Sequence, residues 1–251
     1  MDRKFGKLAP KEHPKTLRFS LFLTGEPIPP PPSKRAWEYD PKILAAGWGM
    51  YSNDVCGCCT CAAKGHVIMA VTANAGALVI PDPAEILSIY ERLSGYNPTT
   101  GANDTGLAMT DVFNYWLENP IAGQKLLGWV QIDVKNRAHF EQCVNLFGAC
   151  DVGVQFPQSA ESQFANNQPW DIVDPDGGSL GGHDVPYLGY GREGETCITW
   201  GRRQPCGIPW FERYADEAYG VILESWFDAA DIAPSGFDKD ALWKALQALK
   251  A

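Results

Sequence analysis

Basic residues are scarce in this 251-residue chain: 21 lysines and arginines face 30 aspartates and glutamates, for a formal net charge of −9. A nucleic-acid surface needs a basic patch to displace the counterions of phosphate, so nucleic acid is not an expected partner. Long apolar runs are missing as well. None approaches the roughly 20 residues that a helix needs to cross a bilayer, which removes the membrane as an expected partner. The first residues show no basic start followed by an apolar stretch and a small-residue cleavage site. No secretory signal is therefore expected, and the expected location is cytoplasmic or virion-associated. No internal repeat is visible. The 45% hydrophobic content is ordinary for a globular protein, and the length suits one large domain or two small ones.

A second pair of metal ligands is also missing. Four of the eight cysteines cluster as Cys56-x-Cys58-Cys59-x-Cys61. Structural zinc takes ligand pairs spaced by two to four residues, with a second pair elsewhere. Here Cys143 and Cys150, and Cys197 and Cys206, are too widely spaced to supply one. His66 lies on the expected helix after Cys59, where a satisfied core histidine is the simpler reading. No metal or cofactor is expected. Without a secretory signal, reduced thiols are expected, with Cys143, Cys150 and Cys197 as small buried hydrophobes.

What is present centres on Cys59, in Asn53-Asp54-Val55-Cys56-Gly57-Cys58-Cys59-Thr60, directly ahead of an alanine-rich helical pattern. The positive end of a helix macrodipole favours thiolate, the nucleophilic form, so a depressed pKa is expected at Cys59. Far downstream stands Gly182-His183-Asp184-Val185, followed by Gly189-Tyr190-Gly191. A cysteine and a distant histidine that meet in space make an acyl-transfer pair.

Residues 1–40 read as an extended arm with a polyproline stretch over Pro27–Pro32 and a strand or helical turns over Thr16–Leu23. Helices are expected behind Cys59, from Asp82-Pro83-Ala84-Glu85 to Ser94-Gly95 with a capping box, and over Ala108–Leu117. The second half alternates as strands at Gly128–Val134, Asp151–Phe156, His183–Gly189, Thr196–Trp200 and Ala218–Leu223, with a helix after Asn136. Helices first and strands afterwards predict an α+β protein with two lobes. The boundaries are a helical lobe at about 41–125, a β-rich lobe at about 126–235, and a C-terminal amphipathic helix over 238–251.

This order of motifs resembles the papain-like cysteine peptidases. The Cys-Gly-x-Cys spacing is met by Cys56-Gly57-Cys58-Cys59. The histidine strand is met by His183 with Gly189-Tyr190-Gly191, and the Trp-Gly pair by Trp200-Gly201. The resemblance covers about residues 48–223. It implies a papain-like two-lobed fold, with the nucleophile Cys59 opening the central helix of the helical lobe and His183 on a strand of the β-rich lobe. The family's oxyanion-hole glutamine falls on Asn53, a carboxamide one methylene shorter. The chain departs from the family in three places, the first being an N-terminal arm too short to resemble the usual inhibitory prodomain. Thr60 replaces the tryptophan after the nucleophile, and Ile198 stands where an asparagine orients the histidine. Thr199, Asp216 and Glu217 are the candidates for that orienting role. Strand alternation aims Thr199 away from the ring unless a bulge beside Trp200 intervenes. The Asn-Asp-x-x-Gly-x-Cys-Thr run also resembles uncharacterised phage and bacterial proteins. The expected activity is a cysteine peptidase or amidase acting on a peptide or protein substrate through a thioester. The alternative is a papain-fold structural or binding protein with weak or no turnover.

Overall fold

The computed structural model describes residues 3–19, 30–236 and 238–240. Within them the chain is α+β. One half carries helices α1 (Pro41–Ala46), α2 (Cys59–Asn74), α3 (Pro83–Ser94) and α4 (Met109–Glu118). The other half carries a mixed sheet with α5 (Arg137–Phe147), α6 (Gln158–Ala165) and α7 (Ile208–Tyr214). The strands are β1 (Leu17–Arg18), β2 (Arg35–Ala36), β3 (Leu126–Gln131), β4 (Cys150–Pro157), β5 (Ser179–Gly191), β6 (Gly194–Thr199), β7 (Arg202–Cys206) and β8 (Ala215–Leu223). They run in the order β1-β3-β8-β4-β5-β6-β7, with β2 paired to β5. Only the β1–β3 pair is parallel among the described residues.

Helix α2 is the axis of the molecule. From Cys59 to Ala73 every residue is buried, including Lys64 and His66. A helix this apolar all round has no solvent face and must be enclosed by its neighbours. Small residues in its first turns permit that enclosure. A Cβ on Gly65 would lie 2.8 Å from the Tyr51 ring, so the helix and the preceding loop pack closer than alanine would allow.

The expected boundaries of α3 are met. Asp82 accepts from the Ala84 amide at 2.8 Å, Pro83 opens the helix, and Gly95 closes it in the left-handed conformation. Glu85 does not complete a capping box. Its carboxylate accepts from the Ala122 amide at 2.8 Å, which ties α3 to the loop before β3. Asn136 caps α5, as its position suggests. Strands β2 and β7 and helices α1, α6 and α7 have no counterpart among the elements expected from the sequence.

The arm is more built-in than an extended tail. Leu17 and Arg18 pair with Val130 and Gln131, and Arg35 and Ala36 pair with Tyr190 and Gly189. Of the polyproline stretch, Pro27–Pro29 lies outside the described residues. The Pro32 carbonyl accepts from the Tyr190 hydroxyl at 3.0 Å. The C-terminal helix expected over 238–251 lies outside the described residues from 241 onward.

Candidate active site

Cys59 is the first residue of α2, and its N-cap, Cys58, makes no side-chain cap bond. The first-turn amides are therefore not consumed by a capping side chain. The preceding loop is held by Tyr51 and Ser52, both at positive φ, and by the Cys58 thiol on the Tyr51 carbonyl at 3.3 Å. The Cys59 side chain is wholly buried. Burial pushes its thiol up to about 12, with the Asp184 carboxyl adding to the rise. The backbone N–H groups of Asp184 and Gly6 and the Lys64 ammonium act in the opposite sense. The expectation of a depressed pKa is thus corrected for this conformation: desolvation outweighs the helix terminus. The Asp184 amide belongs to the residue after His183, so β5 delivers its chain directly to the Cys59 sulfur.

His183 is also fully buried. Its Nε2 lies 2.8 Å from the Thr199 hydroxyl, and its Nδ1 has no protein partner among the described residues. The indole of Trp200 stacks on the ring at 4.4 Å and 14°, while Phe5 and Phe156 meet it edge-on. Burial, with a smaller contribution from His66, lowers the imidazole pKa to about 3.

Thr199 thus takes the position that unbroken strand alternation denies it. The β5–β6 ladder pairs Tyr187 with Cys197 after a register shift at Gly189. The same register carried two residues further sets Val185 opposite Thr199. His183, two residues earlier on β5, then shares that face. Ile198 is buried and on the opposite face of the strand. The irregularity lies in β5 rather than beside Trp200, although Trp200 and Gly201 make a tight turn with positive φ at both. Asp216 and Glu217 are engaged elsewhere, with Lys7.

Asn53 is buried in the loop before α2, its backbone amide donating to the Met50 carbonyl at 3.1 Å. Its side-chain oxygen has no partner among the described residues. His66 bonds the Gly49 carbonyl at 3.1 Å, as a satisfied core histidine should. Among the described residues no group of histidine, cysteine and carboxylate side chains is arranged to hold a metal. All eight cysteines are buried and unpaired.

Two features escaped the sequence reading. The first is Lys64, one and a half turns into α2. Its ammonium pairs with Asp151 of β4 and, at 2.8 Å, with Asp184 of β5, and lies 4.4 Å from the Phe113 ring centre. None of the three side chains has any exposure. Burial and the neighbouring Asp151 raise the Asp184 pKa well above the carboxylate range, although Lys64 opposes them. A lone lysine inside a small-residue apolar helix was the signal available for it.

The second is the segment Phe5-Gly6-Lys7-Leu8, which lies in the cleft as an added strand. The Lys7 amide donates to the Gly182 carbonyl at 2.9 Å. On the other side, the Leu107 amide donates to Gly6 at 2.8 Å and the Leu8 amide to Leu107 at 3.0 Å. Glycines make room for it. A Cβ on Gly106 would sit 2.1 Å from the Gly6 oxygen, one on Gly182 2.2 Å from the Lys7 oxygen, and one on Gly6 itself 1.7 Å from the Gly57 oxygen. The arm covers Cys59 and lays Phe5 against the His183 ring.

No protein-family model matches the sequence, and no curated protein matches it. Solved structures do. Xylellain, a cysteine protease from Xylella fastidiosa, superposes with a TM-score of 0.61 at 12% identity, covering 88% of this chain and 98% of that one. Procathepsin B S9 from Trypanosoma congolense gives 0.56 at 11% identity, over 88% and 86%. Digestive procathepsin L 3 from Tenebrio molitor larval midgut gives 0.52 at 14% identity, over 85% and 75%. A buried helix opening on Cys59, a β-rich half carrying His183, and these superpositions together give the chain a papain-like two-lobed fold.

Proposed function

We propose that this protein is a cysteine hydrolase that cleaves peptide or related amide bonds through a thioester acyl-enzyme. The observation that carries the reading is the pairing of Cys59 and His183 environments. The Cys59 sulfur meets the amide that follows His183, and Thr199 engages Nε2 of that histidine. With Nε2–H donating to the Thr199 hydroxyl, Nδ1 keeps a lone pair and has no other partner among the described residues. Nδ1 takes the thiol proton as the sulfur attacks the substrate carbonyl. The tetrahedral oxyanion is stabilised by the Cys59 backbone N–H and the Asn53 carboxamide, where loss of one donor typically costs about 2.7–4 kcal/mol. Collapse breaks the C–N bond, and the imidazolium returns its proton to the leaving amine. Water, deprotonated by the same nitrogen, then hydrolyses the thioester.

The arm must leave the cleft before a substrate enters. With it in place, burial holds Cys59 as a thiol and His183 as neutral imidazole. Gly6→Ala tests this with one methyl group, because its Cβ meets the Gly57 backbone. Peptide mapping after brief iodoacetamide treatment at slightly acidic pH should show Cys59 protected in the native chain. In Gly6→Ala it should be labelled ahead of the seven other thiols, and His183→Ala in that background should slow it. Uniform labelling, or labelling led by Cys58 or Cys61, would remove Cys59 as the nucleophile. The filled cleft also supports a second reading, a papain-fold binding protein without turnover. Rapid Cys59 labelling with no hydrolysis of any peptide or amide panel would favour that one.

A further inference from the structure

Lys7 is one residue from the point where the arm passes the Cys59 sulfur, and its side chain is wholly buried although it is a lysine on a surface arm. Its ammonium lies 2.9 Å from Glu217 and 3.0 Å from Asp216, at the start of β8. Both carboxylates are held in place by other groups. The Tyr219 hydroxyl donates to Glu217 at 2.8 Å, and the Gln155 amide donates to Asp216 at 2.7 Å. The floor is Gly153 of β4, where a Cβ would lie 1.9 Å from the Lys7 Cε. Space for a long stem, two oriented carboxylates at its end and backbone pairing on both sides of the entering strand are the parts of a side-chain recognition pocket.

We infer that this pocket selects a lysine or arginine side chain in the substrate, and that Lys7 is its built-in occupant. The inference rests on the function proposed above and names the substrate class of that same site. Strand pairing through Gly182 and Leu107 is blind to side chains, so discrimination falls to the pocket. Burying Glu217 opposite an apolar side chain would leave a carboxylate without its cation, and that penalty excludes neutral substrates of similar length. A guanidinium suits two carboxylates at least as well as an ammonium does.

The test separates recognition from turnover. In the full chain, Lys7→Arg should keep Cys59 protected from iodoacetamide, while Lys7→Met, which fills the same space without charge, should speed its labelling at least tenfold. A synthetic peptide of the sequence Arg-Lys-Phe-Gly-Lys-Leu-Ala-Pro should bind Gly6→Ala by fluorescence anisotropy. It should lose at least tenfold in affinity when its second lysine is replaced by norleucine, and keep its affinity with arginine there. Glu217→Gln should erase the difference between the lysine and norleucine peptides. Equal protection by Lys7→Met and Lys7→Arg, equal binding of the two peptides, or no binding of either would overturn the inference. A failure to hydrolyse would overturn the proposed activity alone, because neither readout needs turnover.

Discussion

Two lysines in this molecule each face two carboxylates, and both have wholly buried side chains. Lys64 sits on α2 and clamps it to β4 and β5 through Asp151 and Asp184, none of which has any exposure. Lys7 belongs to the arm and enters a pocket whose Asp216 side chain keeps 21% of its surface in solvent. The chemistry is the same; the difference is what remains when the lysine goes. Without Lys64, the acidic side chains of Asp151 and Asp184 stay buried without their cation and with no route to water. Without Lys7, the arm should lift and let water reach Asp216 and Glu217. One cluster ties α2 to the sheet, and the other seats the arm over Cys59.

The sharpest break is therefore Lys64→Met against Lys7→Met. Removing one partner of a buried ion pair costs about 3–5 kcal/mol, because the other charge stays uncompensated. Lys64→Met should lose about that much in a denaturant titration, if it folds at all. Lys7→Met should lose about 1 kcal/mol or less, the level of a solvent-reachable pair, while exposing Cys59. Equal losses would mean that the arm is as integral to the fold as α2 is.

Acid sharpens the comparison further. Burial lowers His183 from 6.5 to about 3, with a small push from His66, and lowers His66 itself to about 4. Below pH 6.5 the unfolded chain takes up protons that the folded chain refuses. Stability is thus full above 6.5 and falls as the pH drops towards those lowered values. Between pH 7 and 5 each histidine contributes a loss of about 2 kcal/mol. Phe5 of the arm covers the His183 ring, whereas His66 is enclosed by Trp48 and Tyr51 of the loop before α2. Lys7→Met should consequently flatten the acid loss by up to the His183 share and leave the His66 share intact. Denaturation midpoints at pH 7, 6 and 5 measure this, and parallel curves for the two proteins would show that the arm does not seal His183.

The two clusters also mark where sequence reading succeeded and where it stopped. Local signals served well: Asp82-Pro83 and Gly95 bound α3, Asn136 opens α5, and alternation located β4, β5, β6 and β8. Cys59 and His183 are legible as candidates because their neighbouring glycines and cysteines have short, fixed spacings. What failed depends on pairing between distant segments. Lys7 and Glu217 are 210 positions apart, and no periodicity links an arm residue to a strand start. The glycines at 106, 153 and 182 are legible only once the strand they accommodate is in place. The Cys59 pKa was misjudged because the helix terminus is a local feature, whereas burial beneath the arm is a tertiary one.

The smallest expected effect on Cys59 reactivity concerns Thr199, which belongs to neither cluster but lies beside the strand that both of them touch. Its hydroxyl is the only protein partner of the His183 ring nitrogens among the described residues, at 2.8 Å from Nε2. Thr199→Val keeps the shape and the β-branching and removes the acceptor. A buried Nε2–H left unpaired costs about 1–3 kcal/mol, and the ring gains a reason to change tautomer. If the proton moves to Nδ1, the nitrogen assigned to take the Cys59 proton is blocked. In the Gly6→Ala background, Thr199→Val should therefore slow Cys59 alkylation several-fold near neutral pH, and Thr199→Ser should restore most of the rate. The stacked Trp200 still fixes the plane of the ring, which is why the loss should stop short of that from His183→Ala. An unchanged rate in Thr199→Val would reduce the hydroxyl to a strand residue and leave Trp200 stacking as what orients the imidazole.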